Sequence, residues 1–301
     1  MYAPIEGNIV PFVYSIFKGV TDIVRTWDNE KVNQFELFLK NEEKSEATVK
    51  KYLHDVLSFA KFIGNEDIDR EKVMEYKHDL CHQYTVTSAN SMIAALNTFF
   101  HFCGWNELCV KQFRVQRAAY CSEEKELTKE EYIKLLRVTQ KRGDTQLNLI
   151  IQTICATGIR VGELQCITVD AIKRGEAVVD CKGKCRRVFI VTLLRKKLLR
   201  YIAEQKIQEG PIFVSKNGKP ISRTIIWRKM KSLCHEAQVN PQKVFPHNLR
   251  HLFARIFYAI EKDIAKLADI LGHANINTTR VYIITTGAEH RRKMEYMKLI
   301  I

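Results

Sequence analysis

Four short motifs in the second half of the sequence carry side chains that could act on a phosphate ester. The first is Arg160, which follows a predicted helix that Gly158 would end. The second is Lys182, in a turn between two β-rich runs. Both also have ordinary explanations, because surface arginines at helix turns and solvated lysines in hairpins are common. Neither motif alone identifies a site.

The third motif runs from Pro246 to His251 and predicts a helix that begins at its proline. His247 and Arg250 are three residues apart, so an imidazole and a guanidinium share one helix face. His247 and His251 also have the spacing of a zinc-protease helix. That motif needs a glutamate directly after the first histidine, where this sequence has an asparagine. The cation of Arg250 would also repel a metal, so we expect no metal site.

The fourth motif surrounds His273 and Tyr282. Asp263 can cap a helix that ends at Gly272, which would place His273 at the helix exit. Asn277 can cap the next helix, with Tyr282 little more than a turn inside it. Packing is the ordinary explanation of this tyrosine, since a ring with a polar tip suits a half-buried helix face.

Together the four motifs supply two arginines, one lysine, two histidines and one tyrosine. Such groups can bind a phosphodiester, neutralise its transition state, exchange protons and attack the phosphorus. The set has no clustered carboxylates for a two-metal nuclease, and the sequence has no glycine-rich loop of the nucleotide-binding type. We therefore expect covalent, metal-free transfer of a DNA strand, with no cofactor.

The composition favours a nucleic-acid partner. The 301 residues include 48 Lys and Arg against 34 Asp and Glu, for a formal net charge of +14. Such an excess favours a polyanion as partner. No apolar run reaches the length of a membrane span. We expect a cytoplasmic protein, nucleoid-associated if bacterial, whose nine cysteines stay reduced.

Apolar periodicity predicts a helical N-terminal third and a mixed remainder. The predicted helices there cover residues 9–27, 48–63, about 71–83 and 88–103. Residues 109–117 lack this periodicity and are the predicted domain linker. A capping box of Thr128 and Glu131 begins the next helix. Strands are predicted at 177–181 and 187–192, joined by 182–186, with a tight turn at Asn217 and Gly218 and helices from about Arg223 onward.

The order and spacing of the six side chains resemble the Arg-Lys-His-Arg-His-Tyr set of the tyrosine recombinases. They are Arg160, Lys182, His247, Arg250, His273 and Tyr282. The offsets of 23 residues from Arg250 to His273 and nine from His273 to Tyr282 are similar to those of the Xer-type and phage-integrase branch. The resemblance covers roughly Trp27 to the C-terminus.

The resemblance implies a mainly α fold with a small antiparallel β-sheet in an α+β catalytic domain. Residues 1–26 have no evident counterpart in the simplest members of the family and would be a helical extension of unknown role. Residues 27–118 would be a helical core-binding domain that binds DNA. Residues 119–301 would be the tyrosine recombinase catalytic domain with its C-terminal tail.

The resemblance also implies the chemistry of a site-specific recombinase. Tyr282 would attack the scissile phosphate and form a 3′-phosphotyrosyl intermediate, without metal or ATP. Arg160 and Arg250 would hold the non-bridging oxygens.

The remaining roles concern protons. Lys182 would be the general acid for the leaving 5′-oxygen, with Lys184 the weaker candidate. His247 would assist as a base towards the tyrosine, and His273 would hydrogen-bond the phosphate or the nucleophile.

The expected partners are double-stranded DNA and further copies of the chain, as a tetramer on two DNA sites. The tail from Ile283 would dock on a neighbouring protomer, with packing on its own subunit as the alternative. Two other functions stay open: a type IB topoisomerase, and a non-catalytic DNA-binding protein of the same fold. The sequence does not distinguish integration, excision and dimer resolution.

Overall fold

The computed structural model describes residues 25–115, 125–181, 184–283 and 294–297. The chain divides into two compact units, residues 1–117 and 118–301. Both are mainly helical, and the second contains a small antiparallel sheet, which confirms the predicted fold class. The role of residues 1–26 and the bounds of the two functional domains stay predictions. No helix in the described parts of the chain is long and apolar enough to cross a membrane.

Four helices form the described part of the first unit. They are α1 (Asn29–Asn41), α2 (Glu46–Ile63), α3 (Arg70–Gln83) and α4 (Val86–Phe102), followed by a 3₁₀ turn at Asn106–Leu108. The predicted helices after residue 48 are confirmed, with starts one or two residues earlier. The cap residues explain the difference, because the side chains of Ser45, Asp69 and Thr85 accept the first free amides of α2, α3 and α4.

The predicted helix at residues 9–27 lies mostly outside the described residues. Its last three residues are not helical, and Arg25 instead forms an isolated antiparallel bridge with Ile68. The core of this unit is rich in aromatic rings. Phe99 on α4 packs edge-on against Phe35 at 5.2 Å and against Trp105 at 6.1 Å between ring centroids.

The second unit holds the remaining described elements. They are α5 (Lys129–Lys141), α6 (Thr145–Thr157), α7 (Val169–Arg174), β1 (Glu176–Cys181), β2 (Lys184–Phe189), α8 (Thr192–Glu204), α9 (Arg223–Ser232), α10 (Cys234–Ala237), α11 (Pro246–Glu261), α12 (Ile264–Leu271) and α13 (Ile276–Ile283), with 3₁₀ turns at Val161–Cys166 and Pro241–Lys243. The predicted capping box at Thr128 and Glu131 is confirmed at the start of α5, by bonds of 2.9 and 3.1 Å. The predicted turn at Gly218 is also present, with φ of 71°. Helix α6 is buried along most of its length and packs against α11.

The predicted position of the second strand is wrong. Strand β2 begins at Lys184 and ends at Phe189, and Thr192 begins α8 instead of ending the strand. The strand pairing includes the charged residues at the start of β2. Arg186 pairs with Val179 in the sheet, and its side chain points inward to the carboxylate of Glu163. Side chains alternate along a strand, so the neighbouring Arg187 is exposed.

Candidate active site

Arg250 lies at the centre of the site, one turn inside α11, with 1% of its surface exposed. One terminal nitrogen donates to the carbonyl of Gly158 at 2.5 Å, and the other donates to the carbonyl of Leu271 at 2.7 Å. The second nitrogen also lies 3.0 Å from Nε2 of His273. Burial lowers the pKa of Arg250 to about 10, with a smaller effect from the charge of Arg160, so the guanidinium stays charged at neutral pH. Arg250 therefore ties the ends of α6 and α12 together.

Gly158 makes this contact possible. It ends α6 in the left-handed conformation, with φ of 66°, which favours glycine. A Cβ atom at this position would lie 2.5 Å from Cδ1 of Phe253 on α11. The glycine thus brings the end of α6 close enough to α11 for its carbonyl to accept from Arg250.

Arg160 follows Gly158 and is held by Glu163, which lies in the 3₁₀ turn. The carboxylate accepts from the Arg160 guanidinium at 2.8 Å and from its backbone amide at 2.9 Å. It also pairs with Arg186 of β2 at 2.5 Å. Burial alone would raise the pKa of Glu163, but the hydrogen bonds from Arg160 and the charge of Arg186 bring it below its ordinary value. Two cations therefore share one buried carboxylate, and Arg160 stays partly exposed.

His273 lies directly after Gly272, which ends α12 as predicted, and the Asp263 side chain caps the start of that helix. The predicted cap of the next helix is wrong. Helix α13 begins at Ile276, so Asn277 lies in its first turn, and the Asn275 side chain accepts the Asn277 amide at 2.8 Å.

His273 is held as a neutral imidazole. Burial, together with the smaller effects of the charges of Arg250 and Arg160, lowers its pKa to about 4. Nδ1 lies 2.8 Å from the hydroxyl oxygen of Thr279. With the proton assigned to Nδ1, this atom donates to Thr279 and the unprotonated Nε2 accepts from Arg250.

Tyr282 is 5% exposed and lies among three histidine rings. The His251 ring is nearest, at 4.4 Å between centroids and perpendicular to the tyrosine. The His273 ring lies at 5.5 Å and the His247 ring at 6.0 Å. The sequence motif contained His251, but nothing in the spacing indicated that it would contact the tyrosine more closely than His247. Glu126 lies 3.6 Å from Nδ1 of His251.

His247 is neutral at neutral pH. Partial desolvation, together with the smaller effects of His251 and the charge of Arg250, lowers its pKa to about 4. Beside it lies a cleft of about 500 Å³ whose lining includes Arg160, Glu163, His247 and Arg250. Tyr282 and His273 are not part of that lining.

The structure thus brings together five of the six predicted site residues. They are Arg160, His247, Arg250, His273 and Tyr282. Lys182 lies outside the described residues, as does the side chain of Lys184, so the choice of general acid stays a prediction. Two site residues were missed: Glu163, whose spacing of three from Arg160 was the available signal, and Arg186, which was assigned to a turn.

Comparison with known proteins identifies the family of this chain. The model of the phage integrase family matches residues 125–288, and that of the phage integrase N-terminal SAM-like domain matches residues 32–107. This chain belongs to the phage integrase family. Its assignment to the tyrosine recombinases, predicted from six side chains, is confirmed, and so is the enzyme class.

Its relatives include Xer recombinases. The tyrosine recombinase XerA of Pyrococcus furiosus is 27% identical over 287 residues, which cover 92% of this chain and 96% of the relative. XerA of Thermococcus kodakarensis is 28% identical over 288 residues, with coverage of 90% and 96%.

Solved structures share the fold. The crystal structure of XerA recombinase superposes with a TM-score of 0.52 at 25% identity, covering 91% of this chain and 99% of that one. A lambda integrase tetramer bound to a Holliday junction gives 0.69 at 16% identity, with coverage of 87% and 78%. At that identity the second likeness concerns the fold alone.

Proposed function

We propose that this site-specific DNA recombinase cuts DNA through Tyr282, which forms a 3′-phosphotyrosyl intermediate and needs neither metal nor ATP. The carrying observation is the chain of contacts from Arg250 through His273 to the Tyr282 ring. A cation, a neutral imidazole and a phenol so arranged supply charge neutralisation, a hydrogen bond and a nucleophile. The bond energy kept in the phosphotyrosine allows the strand to be rejoined.

Arg160 and Arg250 are the proposed phosphate ligands. Arg160 is partly exposed at the cleft. The terminal nitrogens of Arg250 are occupied by carbonyls and His273, but its buried Nε has no hydrogen-bond partner among the described residues. A buried donor without a partner is costly, and a phosphate oxygen would satisfy it.

The histidines differ in their proposed roles. His273, as a neutral acceptor for Arg250, orients that guanidinium. His247 lies at the cleft and is unprotonated at neutral pH, with a pKa of about 4. The negative charge of a bound phosphate would raise this pKa, as a base towards the tyrosine requires. Lys182 is proposed as the acid for the 5′-oxygen because it matches the family's lysine in order and approximate spacing.

Tyr282 must move before it can react. Its ring is almost fully buried and does not line the cleft where the phosphate ligands lie. We propose that DNA binding shifts α13 so that the hydroxyl reaches the scissile phosphate. The partners are duplex DNA and other copies of the chain, as a tetramer on two DNA sites with an exchanged C-terminal tail. The exposed side chains of Met294, Tyr296 and Met297 support a tail that docks elsewhere.

Covalent selection tests this function. The protein is incubated with nicked duplexes of random sequence, and DNA that stays linked to protein under denaturing conditions is amplified and selected again. We expect the wild type to enrich one sequence and Tyr282→Phe to bind that sequence without forming an adduct. An adduct with the Phe variant would contradict the proposal, as would a wild type that binds DNA but never becomes covalently linked to it. Supercoil relaxation without strand exchange would indicate a topoisomerase.

A further inference from the structure

The geometry points to Arg186 as a positioning residue that keeps the positive charge of Arg160 available to the scissile phosphate. This inference rests on the proposed function of the site. Arg186 would not touch the DNA and would act through the carboxylate of Glu163.

The side chain of Arg186 is almost fully buried and makes two directed contacts. Its side chain is 11% exposed, and one terminal nitrogen pairs with Oε2 of Glu163 at 2.5 Å. The other donates to the carbonyl of Ile270 at 2.9 Å, near the end of α12. The second oxygen of Glu163 accepts from Arg160 at 2.8 Å. One carboxylate therefore links the strand arginine to the cleft arginine.

The loop at the end of α12 is shaped to receive this side chain. A Cβ atom on Gly272 would lie 2.4 Å from Cδ of Arg186 and 2.8 Å from its Nε. The carbonyl of Gly272 also lies 3.4 Å from a terminal nitrogen of Arg160. Both arginines thus contact the residues that immediately precede His273.

The balance of charges gives these contacts a function. Two guanidinium groups and one carboxylate leave one net positive charge beside the cleft. Without Arg186, Glu163 would be paired with Arg160 alone, and the pair would present no net charge to a phosphate. A lysine could not fully replace Arg186, because a single ammonium group lacks the planar fork that reaches Glu163 and Ile270 together.

Arg187 provides a matched control on the same strand. Its side chain lies on the opposite face of β2 and is 71% exposed, and its ion-pair partner among the described residues is the half-buried carboxylate of Glu176, at 3.7 Å. Arg187→Gln removes the same charge from the protein as Arg186→Gln, without touching the linkage to Arg160.

The experiment measures the rate of adduct formation on the selected DNA, once with a normal scissile phosphate and once with a methylphosphonate. The methyl group removes the negative charge, so the neutral centre no longer needs the charge of Arg160. We expect Arg186→Gln to slow cleavage of the phosphate by about 10²-fold, the loss typical of one oriented charge-stabilising donor. Its deficit relative to the wild type should largely disappear on the methylphosphonate, as it should for Arg160→Gln. Arg187→Gln should match the wild type on both substrates.

Arg186→Lys keeps a positive charge beside the buried carboxylate. The same measurement is made with this variant if the Gln variant does not fold. We expect it to show an intermediate loss on the phosphate that the methylphosphonate again relieves. Normal cleavage by the folded Arg186 variants would overturn the inference, as would an equal loss on both substrates. If the wild type forms no adduct, the proposed function fails and the inference fails with it. If the wild type reacts and only the variant results disagree, the inference alone is wrong.

Discussion

Each of the two units has an apolar core, but the units differ in the contacts made by a central buried side chain. In the first, Phe99 is surrounded by aromatic rings, including those of Trp27 at 5.6 Å and Phe35 at 5.2 Å. In the second, the buried Arg250 is bound by backbone carbonyls from two helix ends. The first centre depends on the burial of aromatic and apolar surface, whereas the second keeps a charge out of water by satisfying most of its donors. The aromatic cluster of the first unit serves mainly to stabilise the fold. The contacts in the second unit instead hold the Arg250 cation in a fixed position.

The largest loss of stability should come from truncating a ring in the aromatic core. We expect Phe99→Ala to destabilise the first unit by ~3–5 kcal/mol, because a buried ring is lost and a cavity remains. Native-state hydrogen exchange resolved by peptide should show lost protection in α4 and unchanged protection in α6. The control is Leu37→Ala on α1, where the side chain is 60% exposed and little should change. Equal losses in both units would show that their stabilities are not separate, which would break the comparison.

A smaller but more local effect should follow removal of the buried charge. We expect Arg250→Met to destabilise the second unit by ~2–4 kcal/mol, because the carbonyls of Gly158 and Leu271 lose their donors. The same exchange measurement should show weaker protection in α11 and no change in α4. Arg255→Met on the same helix is the control, since Arg255 is exposed and, among the described residues, forms one ion pair, with Glu126 at 3.3 Å. A loss as large in the control would mean that the carbonyl contacts of Arg250 contribute little.

The same contrast explains what could be predicted from the sequence. Apolar periodicity and cap residues are local, so most helices and the capping box were predictable. The site residues were found because their types and spacing resemble a family. Arg186 was not found, because a cation between two predicted strands is normally expected to be exposed to solvent. Its buried partner, Glu163, belongs to another element, so nothing in the sequence indicated the pairing. The role of Gly158 as an acceptor for Arg250 depends on a backbone contact across 92 residues of chain, which no local pattern records.

The smallest effect should be a dependence of the second unit on pH. In the unfolded chain His273 would bind a proton near pH 6.5, whereas the folded state resists protonation until about pH 4. Between these values the unfolded state holds more protons, so the stability contributed by neutral His273 is present above pH 6.5 and is lost as the pH falls towards 4. His247 acts in the same direction.

Urea midpoints for the second unit, read from pulsed hydrogen exchange in α11, should therefore rise from about pH 4 to pH 6.5. In His273→Gln, which keeps an acceptor for Arg250 but cannot titrate, the rise should be smaller, with the part due to His247 remaining. An unchanged slope in this variant would show that His273 is not held neutral by its surroundings.

The central claim is that Tyr282 becomes the covalent link to DNA, and the most direct measurement locates that link. The adduct formed on the selected DNA is digested with nuclease and protease, and the modified peptide is sequenced by mass spectrometry. The account predicts a nucleotide joined through its 3′-phosphate to the hydroxyl oxygen of Tyr282. A nucleotide on Tyr258, Tyr296 or any other residue, or one joined through its 5′ end, would contradict it.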